Sequence, residues 1–183
     1  RSTLNKYQEI IKSKVFFSLL FEIDKDTAEK FKKSLSPCCG KGLHISHYKR
    51  KVKGINDCEN GHQIKFSFNC SKCRHRVNPP SLRFFNRIIY ASSFFILISA
   101  LLKNNDYDLK LASKKFSIDI NTLKKWKRWW NEIFPTTILY KKLQGYFFSL
   151  DSLDPQNILR YFDKMNTPEN SLKCTLKVLT NSS

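Results

Sequence analysis

The sequence has little negative charge. Lys and Arg number 33 against 15 Asp and Glu, so the 183-residue chain has a formal net charge of +18. The imbalance lies in residues 1–150, which hold 29 basic and 11 acidic side chains, whereas residues 151–183 hold four of each. AT-rich coding would raise Glu along with Lys, yet there are 25 Lys and 6 Glu. The composition therefore predicts a polyanionic partner, either nucleic acid or an anionic membrane surface.

The sequence also lacks a long apolar run. The longest one, Ile88 to Leu102, is interrupted by Tyr90 and three serines. A membrane-spanning helix needs about 20 apolar residues, and a signal peptide would be N-terminal. We therefore expect a buried helix here, no membrane partner and a cytoplasmic location.

The scarcity of acidic residues argues against catalysis. Between residues 30 and 100 the only carboxylates are Asp57 and Glu59. Two-metal strand transfer needs several carboxylates, and hydrolytic zinc needs an open coordination position with a carboxylate base. Because no acid–base set is evident, we predict that the protein is not an enzyme.

Cysteine and histidine, by contrast, are concentrated in one segment. Five of the six cysteines and all four histidines lie between residues 38 and 75. In a reducing cytoplasm such a cluster indicates metal binding rather than disulfides. The spacing of Cys70 and Cys73 is typical of a turn that brings two thiols to one zinc ion.

The second pair of ligands is less clearly marked. Cys39 is followed by a glycine, as such a turn prefers, and is the better candidate of the adjacent Cys38 and Cys39. The fourth ligand is Cys38, His44, His47 or Cys58, and we favour Cys38, then His44, then Cys58. The expected site is a closed, structural Zn²⁺ site with candidate ligands Cys38, Cys39, His44, Cys70 and Cys73.

Three basic runs surround this cysteine segment. They predict contact with the phosphates of a nucleic acid, although a solvated charged face is the alternative for any single run. The residues concerned are Lys49, Arg50, Lys51 and Lys53, then Arg74 and Arg76, then Arg83 and Arg87.

The segment that follows is helical in pattern. One helix is expected over residues 108–116 and another after Asp119, which is a good N-cap. Leu123, Trp126, Trp130 and Ile133 form the expected buried stripe of the second helix. This arrangement predicts a helix-turn-helix whose second helix enters the major groove of DNA, the alternative being a plain helical hairpin. The residues expected to contact DNA are Asn121, Thr122, Lys124, Lys125 and Arg128.

The two ends of the chain carry no evident chemistry. Residues 1–35 are expected to form a helical arm that docks or dimerises, with a second helix from Asp26 to Leu35 capped by Asp24 or Asp26. Residues 151–183 are expected to form a tail with one short helix at 154–165.

Several of these segments together resemble a family of bacterial proteins. The resemblance lies in Pro37-Cys-Cys-Gly-Lys-Gly-Leu-His44, Phe66-Ser-Phe-Asn-Cys-Ser-Lys-Cys-Arg-His-Arg76, Pro79-Pro-Ser-Leu-Arg-Phe84 and Thr122-Leu-Lys-Lys-Trp-Lys-Arg-Trp-Trp130. That family joins a zinc ribbon to a helix-turn-helix, and some members are labelled transposase-related. Its first knuckle reads Cys-Pro-x-Cys-Gly, whereas here Ser36 stands in place of the first cysteine and Cys38 fills the intervening position.

The resemblance implies DNA binding associated with mobile elements, in an accessory or regulatory role. The expected fold is α+β and mainly α, with an N-terminal helical arm (1–35), a zinc-ribbon-like module of short strands (36–80), a helix-turn-helix domain (81–150) and a C-terminal tail (151–183). Duplex DNA is the favoured partner, and a homodimer is compatible with the arm. The alternative is an RNA-binding zinc module for which the helices are scaffold.

Overall fold

The computed structural model describes residues 7, 9–11, 13–54, 63–85, 88–103, 108–164 and 166–180. The fold is α+β, mainly helical with small antiparallel sheets, which confirms the expected class. It divides into two compact units: residues 12–92, here called the cysteine unit, and residues 1–11 with 93–183, here called the helical unit. Among the described helices, none combines the length and the apolarity that crossing a membrane requires.

In its described residues the cysteine unit has one long helix and five short strands. The helix α1, Lys14–Lys32, is capped by Ser13, whose side chain accepts a hydrogen bond from the amide of Phe16. A three-stranded antiparallel sheet has the order β1-β4-β5, and β2 pairs with β3 in a second sheet. The strands are β1 Leu43–Ile45, β2 Tyr48–Lys49, β3 Ile64–Lys65, β4 Phe68–Cys70 and β5 Arg76–Val77.

Helix α1 packs on the three-stranded sheet. Ala28 joins Leu43, Phe68 and Val77 in one buried apolar cluster, and the ring of Phe31 lies 5.8 Å from that of Phe68. The helix therefore belongs to the core of the cysteine unit; we had expected residues 1–35 to form a helical arm that docks or dimerises.

The separate helix expected from Asp26 to Leu35 does not form. Residues 21–32 contain neither glycine nor proline, so α1 continues through them without a break. Asp24 lies in the middle of this helix and is 2% exposed, so it does not act as a cap.

Among its described residues the helical unit has helical residues at 7 and 9–11 and six further helices. They are α2 Ser92–Lys103, whose first residue belongs to the cysteine unit, α3 Leu109–Phe116, α4 Ile120–Arg128, α5 Ile138–Tyr146, α6 Pro155–Asp163 and α7 Pro168–Thr180. A π-helical turn at Trp129–Ile133 and a 3₁₀ turn at Phe134–Thr136 lie between α4 and α5. Helix α2 comes from the longest apolar run, and it is buried at every residue from 92 to 102, as expected.

Aromatic rings fill the centre of the helical unit. Phe95 on α2 is fully buried, and its ring centroid lies 5.1 Å from that of Trp126 and 5.8 Å from that of Trp130. Phe134 lies 4.7 Å from Trp130 and 5.3 Å from Trp129. Each tryptophan is thus part of this aromatic packing.

The π-helical turn shifts the buried stripe by one residue. Leu123, Trp126 and Trp130 are buried as expected, but Ile133 is 46% exposed and Phe134 is fully buried in its place. The amide of Phe134 donates to the carbonyl of Trp129, five residues back, so this turn holds one residue more than an α-helical turn. The prediction for Ile133 was wrong for that reason.

The C-terminal segment is more ordered than the expected tail. Helix α6 begins after Asp154, whose side chain accepts from the amide of Asn157, so the short helix expected at 154–165 is present. The helix α7 was not expected. Its Leu172, Leu176 and Leu179 are buried at the spacing of one helical face, and both helices belong to the helical unit.

Candidate metal centre and basic surfaces

Four thiols meet in the cysteine unit. Cys38, Cys39, Cys70 and Cys73 place their sulfur atoms within 4.8 Å of one another. The Sγ–Sγ distances include 3.1 Å for Cys38–Cys73, 3.1 Å for Cys39–Cys70 and 3.8 Å for Cys38–Cys39. With Zn–S bonds of about 2.3 Å, the sulfurs of a tetrahedral Zn(Cys)₄ site are about 3.8 Å apart. Two pairs are closer than this, and the cluster of four sulfurs is compatible with a metal ion such as zinc.

Hydrogen bonds in the cluster shift the pKa values of its thiols, and the thiolate is the form that binds metal. The amide of Cys73 and the thiol of Cys39 both hydrogen-bond Cys70 Sγ, and together they lower the pKa of Cys70 to about 5. The same contact with Cys70, together with burial, raises the pKa of Cys39 to about 12. The two sulfurs lie 3.1 Å apart, and their contact shifts the two pKa values in opposite directions.

The histidine candidates lie elsewhere. His44 on β1 is opposite Asn69, whereas its neighbour Leu43 is opposite Cys70. Because neighbouring side chains of a strand point to opposite faces, His44 is directed away from the thiols, and it is not part of the cluster. His47 accepts a hydrogen bond at Nδ1 from the amide of Ser67 and packs between Phe66 and Phe68. Cys58 lies outside the described residues.

Most of the cations expected beside the thiols are exposed. Lys49, Lys51, Lys53 and Arg74 are exposed, as is Arg76, which lies over the ring of Tyr48 and donates to Ser46 Oγ. Arg50 is half-buried, because its guanidinium donates to the carbonyl of Ile88 and lies over the ring of Phe84. Arg87 lies outside the described residues.

Arg83, which we expected to contact nucleic acid, is fully buried. Its Nε donates to Asp24 Oδ2 at 2.8 Å, and Nη2 donates to the carbonyl of Ile64. The guanidinium also lies over the rings of Phe21 and Phe84. The prediction was wrong because Arg83 is half of an ion pair that links α1 to the segment after the sheet.

Asp24 is the centre of this buried polar group. Its carboxylate accepts from Ser81 Oγ at 2.5 Å and from the amide of Leu82 at 2.6 Å, besides Arg83. Lys65 is 8% exposed beside it, and burial lowers the pKa of Lys65 to about 8. The sequence pattern predicted a buried polar role for neither Asp24 nor Lys65. The signal for Asp24 was an acid on the apolar side of a helix, at helical spacing from Leu20 and Ala28.

In the helical unit, α3 and α4 form a hairpin with a short turn. Ala112 on α3 is fully buried, as are Leu123 and, at 2% exposure, Ile118. Ser117 has a φ of 51°, so the chain reverses there in the left-handed region. The carboxylate of Asp119 accepts from the amides of Asn121 and Thr122, which confirms it as the N-cap of α4.

The outer face of α4 carries a row of polar and basic side chains. Asn121, Lys124, Lys125 and Arg128 are all exposed and recur at the spacing of one helical face, opposite Leu123 and Trp126. Thr122 is half-buried beside this row. Arg128 Nε donates to Glu132 Oε2 at 2.7 Å, in an ion pair that is exposed on both sides.

Comparisons of the chain with profiles of known protein families, with curated proteins and with solved structures gave no match. The resemblance to zinc-ribbon and helix-turn-helix proteins therefore stays a prediction.

Proposed function

We propose that the protein binds duplex DNA, with α3 and α4 acting as a helix-turn-helix and α4 as its recognition helix. The observation that carries the proposal is the exposed row of Asn121, Lys124, Lys125 and Arg128 on one face of a capped helix. Residues 120–131 contain no acidic side chain; Glu132 pairs with Arg128, and Lys124 and Lys125 leave the row with a positive charge that attracts a polyanion.

The chemistry of this row suits the major groove. That groove is about 12 Å wide and admits one α-helix, where Asn pairs with adenine and Arg with guanine in two-bond contacts. Lys124 and Lys125 are long and flexible, and they suit the phosphates on either side of the groove. Side chains near the N-terminus of the helix, such as Asn121 and Thr122, are those that reach base edges in this docking mode.

The cysteine unit has a supporting role in this proposal. Cys38, Cys39, Cys70 and Cys73 would hold a structural zinc ion, which contributes folding free energy when bound. Arg74 lies in the second thiol turn, and the cysteine unit also exposes Lys49 on β2 and Lys51 and Lys53 just after it; these charges suit phosphate. We propose binding without catalysis, and the family resemblance extends the proposal to an accessory or regulatory role for a mobile element.

Selection from a random pool of DNA duplexes tests the recognition helix. We expect Asn121→Ala and Arg128→Ala each to change the selected sequence and to weaken binding to the original one by about 1–3 kcal/mol. Lys51→Ala is the matched control, because loss of a phosphate contact weakens binding to all sequences alike and lowers the salt dependence.

Two outcomes would contradict the proposal. If both α4 variants select the same sequences as the unmodified protein, α4 does not read bases. If a structured RNA competes with duplex DNA more strongly than a second duplex does, the alternative of an RNA-binding module gains support.

A further inference from the structure

The two turns that carry the thiols have the same backbone hydrogen bonds. In the first, the amide of Ser36 donates to Lys41 and the amide of Gly40 donates to Ser36, both at 2.8 Å. In the second, the amide of Cys70 donates to His75 and the amide of Arg74 donates to Cys70, both at 3.0 Å. The left-handed residue also falls at the same place, with φ of 66° at Gly40 and 57° at Arg74.

The two turns therefore correspond residue by residue. Cys39 corresponds to Cys73, and the two sulfurs accept equivalent hydrogen bonds, from the amides of Lys41 and His75. Ser36 corresponds to Cys70, and the two are buried to the same degree, at 2% and 1% exposure.

In this correspondence Cys38 is the one thiol of the cluster that has no cysteine or serine at the equivalent position of the other turn. Cys38 occupies the place that Lys72 has in the second turn, where the side chain is exposed and binds nothing in the cluster. Nevertheless Cys38 Sγ lies 3.1 Å from Cys73 Sγ, so it takes part in the cluster from an exposed position. Ser36 Oγ lies 2.9 Å from Cys38 Sγ and also hydrogen-bonds the Cys70 thiol.

We propose that Cys38 is an out-of-register zinc ligand that replaces the thiol missing at Ser36, and that the Ser36 hydroxyl positions Cys38 and Cys70. The inference rests on the proposed zinc site and adds a property to it. A ligand at position 36 would be buried, whereas Cys38 and Cys73 are both exposed. A zinc ion held by these thiols would therefore be open to solvent on the side of Cys38 and Cys73, where a chelator would reach it.

Three variants test this assignment. In Cys38→Ser we expect zinc affinity to fall by at least about 100-fold, since a ligand is lost, whereas Ser36→Ala should lose about 10-fold as an outer-shell change does. In the double variant Ser36→Cys, Cys38→Ser the regular turn is rebuilt. We expect its affinity to return to at least the level of the unmodified protein and its zinc to transfer to a chromophoric chelator more slowly.

Cobalt substitution provides the second measurement. The intensity of the thiolate-to-cobalt charge-transfer band should fall by about a quarter in Cys38→Ser, because one of the four thiolates is gone, and should recover in the double variant. Cys174→Ser, outside the cluster, is the control and should leave affinity and spectrum unchanged.

The outcomes separate this inference from the proposed site itself. If the unmodified protein binds zinc but Cys38→Ser binds it equally well, Cys38 is not a ligand and the inference fails alone. If the double variant is no better than Cys38→Ser, the correspondence of the turns fails. If neither the unmodified protein nor the double variant binds zinc, the proposed metal centre is wrong as well.

Discussion

Different interactions stabilise the interior of each of the two units. In the cysteine unit the strands are two or three residues long, and a small apolar core is accompanied by the buried pair of Asp24 and Arg83 and by a thiol cluster in which Cys38 and Cys73 are exposed. In the helical unit the interior is aromatic and aliphatic, with Phe95 and Phe134 at its centre. We expect the cysteine unit to respond to chelators, charge changes and pH, and the helical unit to respond mainly to changes of packing volume.

Metal removal should produce the largest difference in stability between the two units. A structural zinc ion contributes about 10 kcal/mol or more of apparent binding free energy, and much of this is folding free energy in a small module. After chelation we expect amide hydrogen-exchange protection to disappear in strands β1–β5 and to persist in α2–α7. An equal loss of protection in α2–α7 would show that the helical unit is not independently stable.

The Asp24→Asn substitution tests the buried ion pair. It leaves the Arg83 guanidinium buried without its counter-charge, which should cost about 3–5 kcal/mol in the unfolding free energy of the cysteine unit. The matched control is Asp26→Asn on the same helix, where the carboxylate is exposed. Denaturant unfolding followed by hydrogen exchange measures both, and similar losses in the two variants would mean that the ion pair contributes little.

The Phe95→Ala substitution is the corresponding test of the helical unit. Removing a fully buried ring that contacts Trp126 and Trp130 should cost about 3–5 kcal/mol, by lost burial and by the cavity left behind. Phe148→Ala, at a side chain that is 89% exposed, is the control and should change little. The loss should be the same with and without chelator; a loss that depends on chelator would weaken the contrast between the units.

The pH dependence of stability should be larger in the cysteine unit. Burial lowers the pKa of Lys65 to about 8, so between pH 8 and 10.5 the folded state releases a proton that the unfolded state still holds. The unfolding free energy should therefore rise with pH across this window, by about 3 kcal/mol. In Lys65→Met this part of the rise should be absent, and a curve that keeps its full slope would show that Lys65 is not responsible.

The smallest expected change in unfolding free energy concerns the N-caps of two helices in the helical unit, α3 and α4. Asp119 caps α4 through two amide hydrogen bonds, whereas Asp108, the N-cap of α3, makes no such bond with its side chain. Asp119→Ala should therefore cost about 1 kcal/mol and Asp108→Ala a few tenths. Exchange rates of the first-turn amides of α3 and α4 measure both, and equal effects would contradict the assigned cap.

Local features were predictable from the sequence because short spacings determine them. The turn at Cys70 and Cys73, the cap at Asp119 and the buried helix after Ile88 each depend on neighbours within about one or two turns of chain. Asp24 and Arg83 are far apart in sequence, and each one alone is of a residue type that usually lies on the surface. Helix α7 was missed because Asn, Thr and Ser around its leucines conceal the apolar spacing.

The metal ligands lie between these two cases. The four cysteines were among the named candidates, but the choice between Cys38 and His44 depended on which face of β1 points toward the thiols. The register of strand pairing determines which side chains share that face, and the spacing of the cysteines alone does not predict the register.

The π-helical turn at Trp129–Ile133 has a consequence for sequence comparison. Because it holds one residue more than an α-helical turn, the chain can lose one residue there without disturbing Trp126 before it or Phe134 after it. Relatives in which this turn is α-helical should align with a single-residue gap inside 129–133, and the aromatic positions on both sides should remain. A gap at that place would indicate that the π-helical turn accommodates a one-residue insertion in this chain.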